Sequence, residues 1–284
     1  MELTTDRKTR TEKYRDMVPY YYELATPLYR VGWGDSFHLL YFTGEESVAE
    51  AAINMDRSLV GEGKFGPGMK ILDVGSGVGG PACTIARHSE AHITGLNISP
   101  RQIVTAEELV AKQSMSEQVT FVEGDAMNMP FEDNTFDAAY ALESMCQTPD
   151  KAVVCAEIAR VVKPGGMFVG YDWFCRNAIT AEQYDEHIEP ICRASAIPDL
   201  LTLGQLETYL REAGFDVEAT GNAADRGNME RCWDLYEARG KWLARRTNPT
   251  TSVNLMRELI EALVSAARAG YFLEGYWRAK NIRR

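Results

Sequence analysis

Along the middle of the chain, short apolar runs alternate with stretches whose apolar residues recur every three to four positions. Buried strands alternating with amphipathic helices give that pattern. Residues 69–74 (MKILDV) form the first run, and 92–96, 119–122, 137–142, 167–172 and 215–219 form the next five. Helical spacing fills 81–87, 151–162 and 203–213, where Gly214 is placed to stop the last helix. Another helix opens at Ser99-Pro100, an N-cap followed by a first-turn proline, with Ile103, Val104 and Leu109 expected inward. The aromatic run 271–277 reads as a final strand.

Strands separated by helices of about 10–15 residues require right-handed crossovers and a mainly parallel sheet. The pattern predicts a doubly wound α/β fold. Ahead of it, Gly61-Glu-Gly-Lys-Phe-Gly-Pro-Gly68 places four glycines and a proline in eight residues. Such a stretch is punctuation between elements. It divides the chain into a helical, aromatic N-terminal region (1–66), a Rossmann-like core (67–222) and a C-terminal part (223–284) that supplies helices and the last strand.

Composition changes this picture little. The 284 residues are 45% hydrophobic and 25% charged, values of an ordinary globular protein rather than a disordered or fibrous one. No apolar run approaches the roughly 20 residues needed to span a bilayer. The polar start, Met1 to Arg10, lacks the apolar core of a secretory signal, so a cytoplasmic protein is expected. A net charge of −11 argues against nucleic acid as a partner. The charge is uneven, with 12 Lys/Arg against 6 Asp/Glu from Arg226 onward. Such a tail docks on the acidic body, meets a second copy in a homo-oligomer, or stays solvated. Cys83, Cys146, Cys155, Cys175, Cys192 and Cys232 show no Cys-x-x-Cys, and four scattered histidines give no ligand spacing. Reduced core thiols and no metal are the expectation.

Candidate chemistry concentrates at Ile71-Leu-Asp-Val-Gly-Ser-Gly-Val-Gly-Gly80, where the first strand turns into its helix. Glycines there let the main chain approach a ligand closely, and the free N–H groups of the helix start point at it. The spacing alone admits a sulfonium cofactor, a nucleotide or a structural turn. Asp73 ends the strand, Ser76 lies inside the loop, and Asn97 ends the second strand, where ribose hydroxyls are gripped in such folds. Asp125 follows the third strand, positioned to accept from an adenine amino group.

Four motifs in order, the glycine loop, Gly95-Leu-Asn97, Gly124-Asp-Ala126 and Lys163-Pro-Gly-Gly166, resemble those of class I S-adenosylmethionine-dependent methyltransferases. The resemblance implies a seven-stranded sheet with its last strand antiparallel, under an N-terminal helical lid. S-adenosylmethionine is the implied cofactor, held by Asp73, Gly75, Ser76, Gly77, Asn97, Gln102, Asp125, Ala126 and Leu142.

A closer likeness lies outside the loop. Tyr29-Arg-Val-Gly-Trp-Gly34 with its trailing Ser36-Phe-His38, Ala141-Leu-Glu-Ser-Met-Cys146 and Tyr171-Asp-Trp173 are similar to segments of sterol 24-C-methyltransferases. Arg30 stands where that signature carries glutamate, Pro27 replaces an acidic position, and Gln147 replaces a histidine. The resemblance implies methyl transfer to the alkene carbon of a terpenoid or of a prenylated natural product (teleocidin-pathway type). A sterol proper, an O- or N-methyl acceptor, and a non-catalytic scaffold are the alternatives. An alkene needs no base for attack, but the cation it leaves needs shelter. Aromatic faces stabilise a nearby cation by about 0.5–2 kcal/mol each, and a carboxylate adds to this and accepts a proton afterwards. Glu143 is the expected cation-facing carboxylate and His38 a second catalytic candidate. Tyr21, Tyr22, Tyr29, Trp33, Cys146, Gln147 and Trp173 are the expected hydrophobic substrate's surroundings.

Overall fold

The computed structural model describes residues 6–245 and 250–283. Residues 1–5 of the polar start, and Arg246 and Arg284 of the basic tail, lie outside them. The chain opens with α1 (Arg7–Glu12) and the long α2 (Tyr14–Trp33), followed by α3 (Val48–Gly63). The alternating core then runs β1 (Lys70–Val74), α4 (Gly80–Ser89), β2 (His92–Asn97), α5 (Pro100–Lys112), β3 (Val119–Glu123), β4 (Phe136–Leu142), α6 (Lys151–Val161) and β5 (Val162–Cys175). It ends with α7 (Ala181–His187), α8 (Glu189–Ala194), α9 (Leu203–Glu212), β6 (Phe215–Asn222), α10 (Glu230–Ala244), α11 (Thr251–Arg268) and β7 (Phe272–Asn281).

All seven strands form one sheet in the order β3-β2-β1-β4-β5-β7-β6. The five on the β3 side run parallel, and β7 lies antiparallel between β5 and β6. This is the expected class I methyltransferase sheet, closed by the C-terminal residues. Strand order reverses between β1 and β4, so a crevice opens at their carboxyl ends, where α/β sheets of this kind bind ligands.

Over that crevice lies α2. Its buried residues, Tyr14, Met17, Val18, Tyr21, Ala25 and Tyr29, recur at three to four positions and so share one face. The helix carries Pro19 and Pro27 in its interior. Val104 corrects one sequence expectation, because it is 55% exposed. The inward face of α5 is Gln102, Ala106, Leu109 and Val110, and at 100° per residue position 104 falls on the far side.

The six cysteines are buried and unpaired. Much of the basic tail docks on the body of the protein. Arg226 forms an ion pair with Glu62, Arg278 with Glu218, and Arg231 donates to the carbonyls of Gly44 and Glu46. No helix among the described residues is long and apolar enough to cross a membrane.

Candidate active site

The loop after β1 is held by main chain. Gly75 and Ser76 both donate to the Leu96 carbonyl, at 2.8 and 3.0 Å. Gly75 sits at φ +82°, and a Cβ there would come within 2.3 Å of the Ser144 Cβ, so only glycine fits. Beside it, a Cβ on Gly77 would meet nothing within 4 Å, because that side faces the cavity. Two buried polar atoms here have no partner, Asp73 Oδ2 and Ser76 Oγ. Burial pushes the Asp73 carboxyl up to about 7. A ligand with ammonium and carboxylate groups, as S-adenosylmethionine has, would satisfy these atoms and neutralise that charge.

Along the other strand ends, the expected cofactor residues already have protein partners. Asn97 donates to the Gly77 carbonyl and to Gln102 Oε1, both at 3.1 Å, and accepts from Ser99 N–H. It thereby ties the glycine loop to the start of α5. Gln102 in turn donates to Thr26 Oγ1 on α2 at 3.3 Å. Asp125 accepts from Met127 N–H at 2.9 Å, from the Tyr14 hydroxyl, and from Arg15 at 2.8 Å. The lid helix therefore already grips the carboxylate expected to meet adenine. Ala126 and Leu142 line the same cavity.

One cavity of about 1380 Å³, its open mouth included, joins this crevice to a second chamber under α2. Tyr21, Tyr22, Tyr29, Cys146, Gln147 and Trp173 all line it. The Tyr21 and Tyr29 hydroxyls bond each other at 2.8 Å, and Tyr29 stacks on Phe37 with ring centroids 5.0 Å apart. Gln147 donates to the Ser195 carbonyl and to the Tyr22 hydroxyl, leaving its Oε1 buried and unpartnered. Trp33 lies one ring behind the wall. It packs edge-on against Tyr29 and Tyr236, with the Arg239 guanidinium 4.0 Å over its face. Cys146 donates its N–H to Asp172, and burial holds its thiol well above the ordinary value, which disfavours the thiolate.

Glu143 stands at the junction of crevice and chamber. It follows β4 in a left-handed conformation, φ +49°, that turns its side chain out of the strand register. Its N–H donates to the Tyr171 carbonyl at 2.8 Å, and its carboxylate accepts from Leu39 N–H. Burial raises its pKa to about 7, against the lowering pull of His38. His38 also lines the cavity, yet both its ring nitrogens face protein, the Leu39 carbonyl at 2.9 Å and Asp56 at 3.2 Å. Burial opposes its charge, but Asp56 outweighs that and holds the imidazole above its usual value. His38 lies close enough to lower the Glu143 carboxyl.

Sequence patterns left several contributors out. Tyr236 of α10 and Met256, Leu259, Ile260 and Leu263 of α11 complete the chamber. The α11 residues recur every three to four positions, a signal of a buried face but not of what it faces. Buried acids Asp172 and Glu274 were also missed, although Asp172 sits inside the quoted Tyr171-Asp-Trp173 segment.

The methyltransferase-domain family model matches residues 72–170. Together with the sheet order, it defines a class I methyltransferase fold. A sterol 24-C-methyltransferase of Neurospora crassa is 37% identical over 80% of this chain and 60% of its own length. Another, from Aspergillus fumigatus, is 37% identical over 86% of this chain and 69% of its own. Among solved structures, the cyclase SpnF superposes with a TM-score of 0.77 at 26% identity, covering 93% of this chain and 95% of that one. The chain belongs to the sterol 24-C-methyltransferase family. It spans 60% of the Neurospora relative's length.

Proposed function

We propose that the protein is an S-adenosylmethionine-dependent C-methyltransferase that alkylates the side-chain alkene of a sterol or sterol-like terpenoid. The observation that carries this is the charge of the cavity wall. Among the described residues none that lines it is Lys or Arg, while Asp35, Asp73, Asp125 and Glu143 do. A diphosphate or carboxylate substrate would meet these carboxylates with no Lys or Arg on the wall, which disfavours it. A neutral, greasy molecule that turns cationic during reaction suits the same wall. Relatives favour the sterol over the prenylated natural product expected first, since the Neurospora and Aspergillus enzymes are both named for sterol C-methylation.

When bound, the cofactor supplies a methyl group on a sulfonium. The chain's own groups do the rest. Tyr21, Tyr22, Tyr29 and Tyr236 exclude water and turn rings towards the chamber. Burial holds the Tyr21, Tyr22 and Tyr236 phenols neutral. Glu143 offsets the developing positive carbon and accepts the proton it later loses. An O- or N-methyl acceptor would need a base to take its proton, and Glu143 or His38 would have to serve; the product distinguishes that reading.

The test is incubation with methyl-labelled S-adenosylmethionine and a panel of sterols, prenylated indoles and phenols. Label on a side-chain carbon of a sterol is the expected result. Label on oxygen or nitrogen, or ring closure without any transfer, would overturn the assignment.

A further inference from the structure

Glu274 is the third residue of β7, opposite Trp173 of β5. It is 1% exposed, and neither carboxyl oxygen has a hydrogen-bond donor. A buried carboxylate without donors is among the costliest groups a fold can hold. The neighbouring charge that acts on it most strongly is Glu143, which bonds the other edge of β5 through its N–H to the Tyr171 carbonyl while Glu274 pairs with Trp173. Two ionised carboxyls placed so would leave facing oxygens with nothing between them. One proton placed there gives each a partner and halves the buried charge.

We propose that Glu274 is a positioning residue. It shares a single proton with Glu143 and stays a neutral acid that donates to the Glu143 carboxylate. The functional half of this rests on the alkene-methylation reading above; the protonation half does not. Asp172 strengthens the arrangement, because its own oxygens are taken by the N–H groups of Cys146 and Trp173, at 3.1 and 2.7 Å. It therefore adds negative charge beside the pair without supplying a donor. The titratable groups that face the pair are Asp172 on β5, His38 on the segment after α2, Tyr22 and Tyr29 on α2, Cys146 in the turn after β4, and Tyr236 and Cys232 on α10, with the Cys232 thiol pushed up to about 12 by burial. Burial, with Glu143 and Asp172 nearby, holds Glu274 well above the carboxylate range.

In the reaction, the cation left by methyl transfer loses a proton from a neighbouring carbon. The C–H electron pair becomes the new carbon–carbon double bond, and the proton goes to Glu143. The pair then holds two protons and no charge, and loss of one to solvent restores the starting state. A protonated Glu274 keeps Glu143 pointed at the chamber and keeps its charge from doubling.

Protein labelled with carbon-13 at glutamate side-chain carboxyls reports this without substrate or cofactor. At about pH 8, well above ordinary glutamate values, one carboxyl signal is expected in the protonated range. A second should join it as the pH falls towards Glu143's transition. Glu274→Gln should remove the first signal. No protonated glutamate in the wild-type protein at that pH overturns the proposal, and this needs no variant to fold. Kinetics then separate positioning from bulk. Glu274→Gln keeps a donor, so kcat is expected to stay within about threefold with the acid limb of its pH profile in place. Glu274→Leu removes the donor, and its acid limb should move up by about one unit, a tenfold loss of kcat below it with KM unchanged. Equal losses in both variants with unmoved profiles would make Glu274 merely structural and sink the idea. A protonated signal that behaves as stated in a protein without alkene activity would leave the shared proton standing and remove only the function assigned above.

Discussion

The two walls of the cavity are made of different material. On the sheet side, loops after β1, β2 and β3 present main-chain groups and short polar side chains, braced by bonds such as Gly75 N–H to Leu96 and Asn97 to Gly77. On the opposite side, side chains meet from α2, the turn after β4, β5, α10 and α11. A main-chain wall tolerates little change, because a side chain at Gly75 would collide with Ser144. A wall of side chains drawn from distant elements can be recut one residue at a time while the sheet stays as it is. Ligand choice can thus vary on one wall while the cofactor's wall is kept.

Glu143 belongs to both walls, and its substitution should break the comparison most severely. Glu143→Gln keeps the size of the side chain and removes the charge. Loss of both proton acceptance and electrostatic stabilisation should lower kcat by about 10²–10⁴-fold. Calorimetric affinity for S-adenosylmethionine should stay within a few-fold, since the glycine loop and strand ends are untouched. A comparable loss of cofactor affinity would mean that the two walls are not separable.

Asp73 tests the main-chain wall. Its carboxyl is raised in the folded protein to about 7, so the stability it contributes is fully present below its ordinary pKa near 4. That contribution is lost as the pH climbs through about 7, by at most about 4 kcal/mol. Asp73→Asn should therefore shrink the fall in urea stability of the cofactor-free protein between pH 5 and pH 8. The same change should weaken S-adenosylmethionine binding about tenfold or more, because a charge-assisted bond is gone. An unchanged pH dependence would show that Asp73 is ionised at no cost before any ligand arrives.

The same division explains what could be read from the chain. Strand positions and the glycine loop are local: each is written in consecutive residues, as Asp73-Val-Gly-Ser-Gly77 is, and most fell where the spacing placed them, although β5 starts at Val162, in the expected helix, and runs through the expected stop to Cys175. Glu143 directly follows one such apolar run. Tyr236 and the α11 face carry no such mark, since only tertiary packing brings a helix some 120 residues downstream against Glu143. Glu274 was invisible for a related reason. A single acid in an aromatic strand reads as an outward-facing charge until its neighbours across the sheet are known. Val104 failed in the other direction, an apolar residue that helical phase turns to solvent.

Trp33 sharpens the comparison with the smallest effect. It was expected among the substrate's surroundings with Tyr21, Tyr22 and Tyr29, yet it supports the wall from behind, between Tyr29 and Tyr236. Its indole N–H is buried without a partner, so Trp33→Phe deletes an unsatisfied donor along with some ring volume. The lost packing costs about 1–3 kcal/mol and the removed polar group offsets part of it. A net fall of a few degrees in Tm is the expected outcome for a chain of this size. Because no atom of Trp33 forms the cavity surface, kcat should change by less than about threefold, a difference under 1 kcal/mol in barrier. Loss of kcat approaching that of Glu143→Gln would place the indole among the groups that shelter the cation, and would extend the side-chain wall one layer deeper than the geometry draws it.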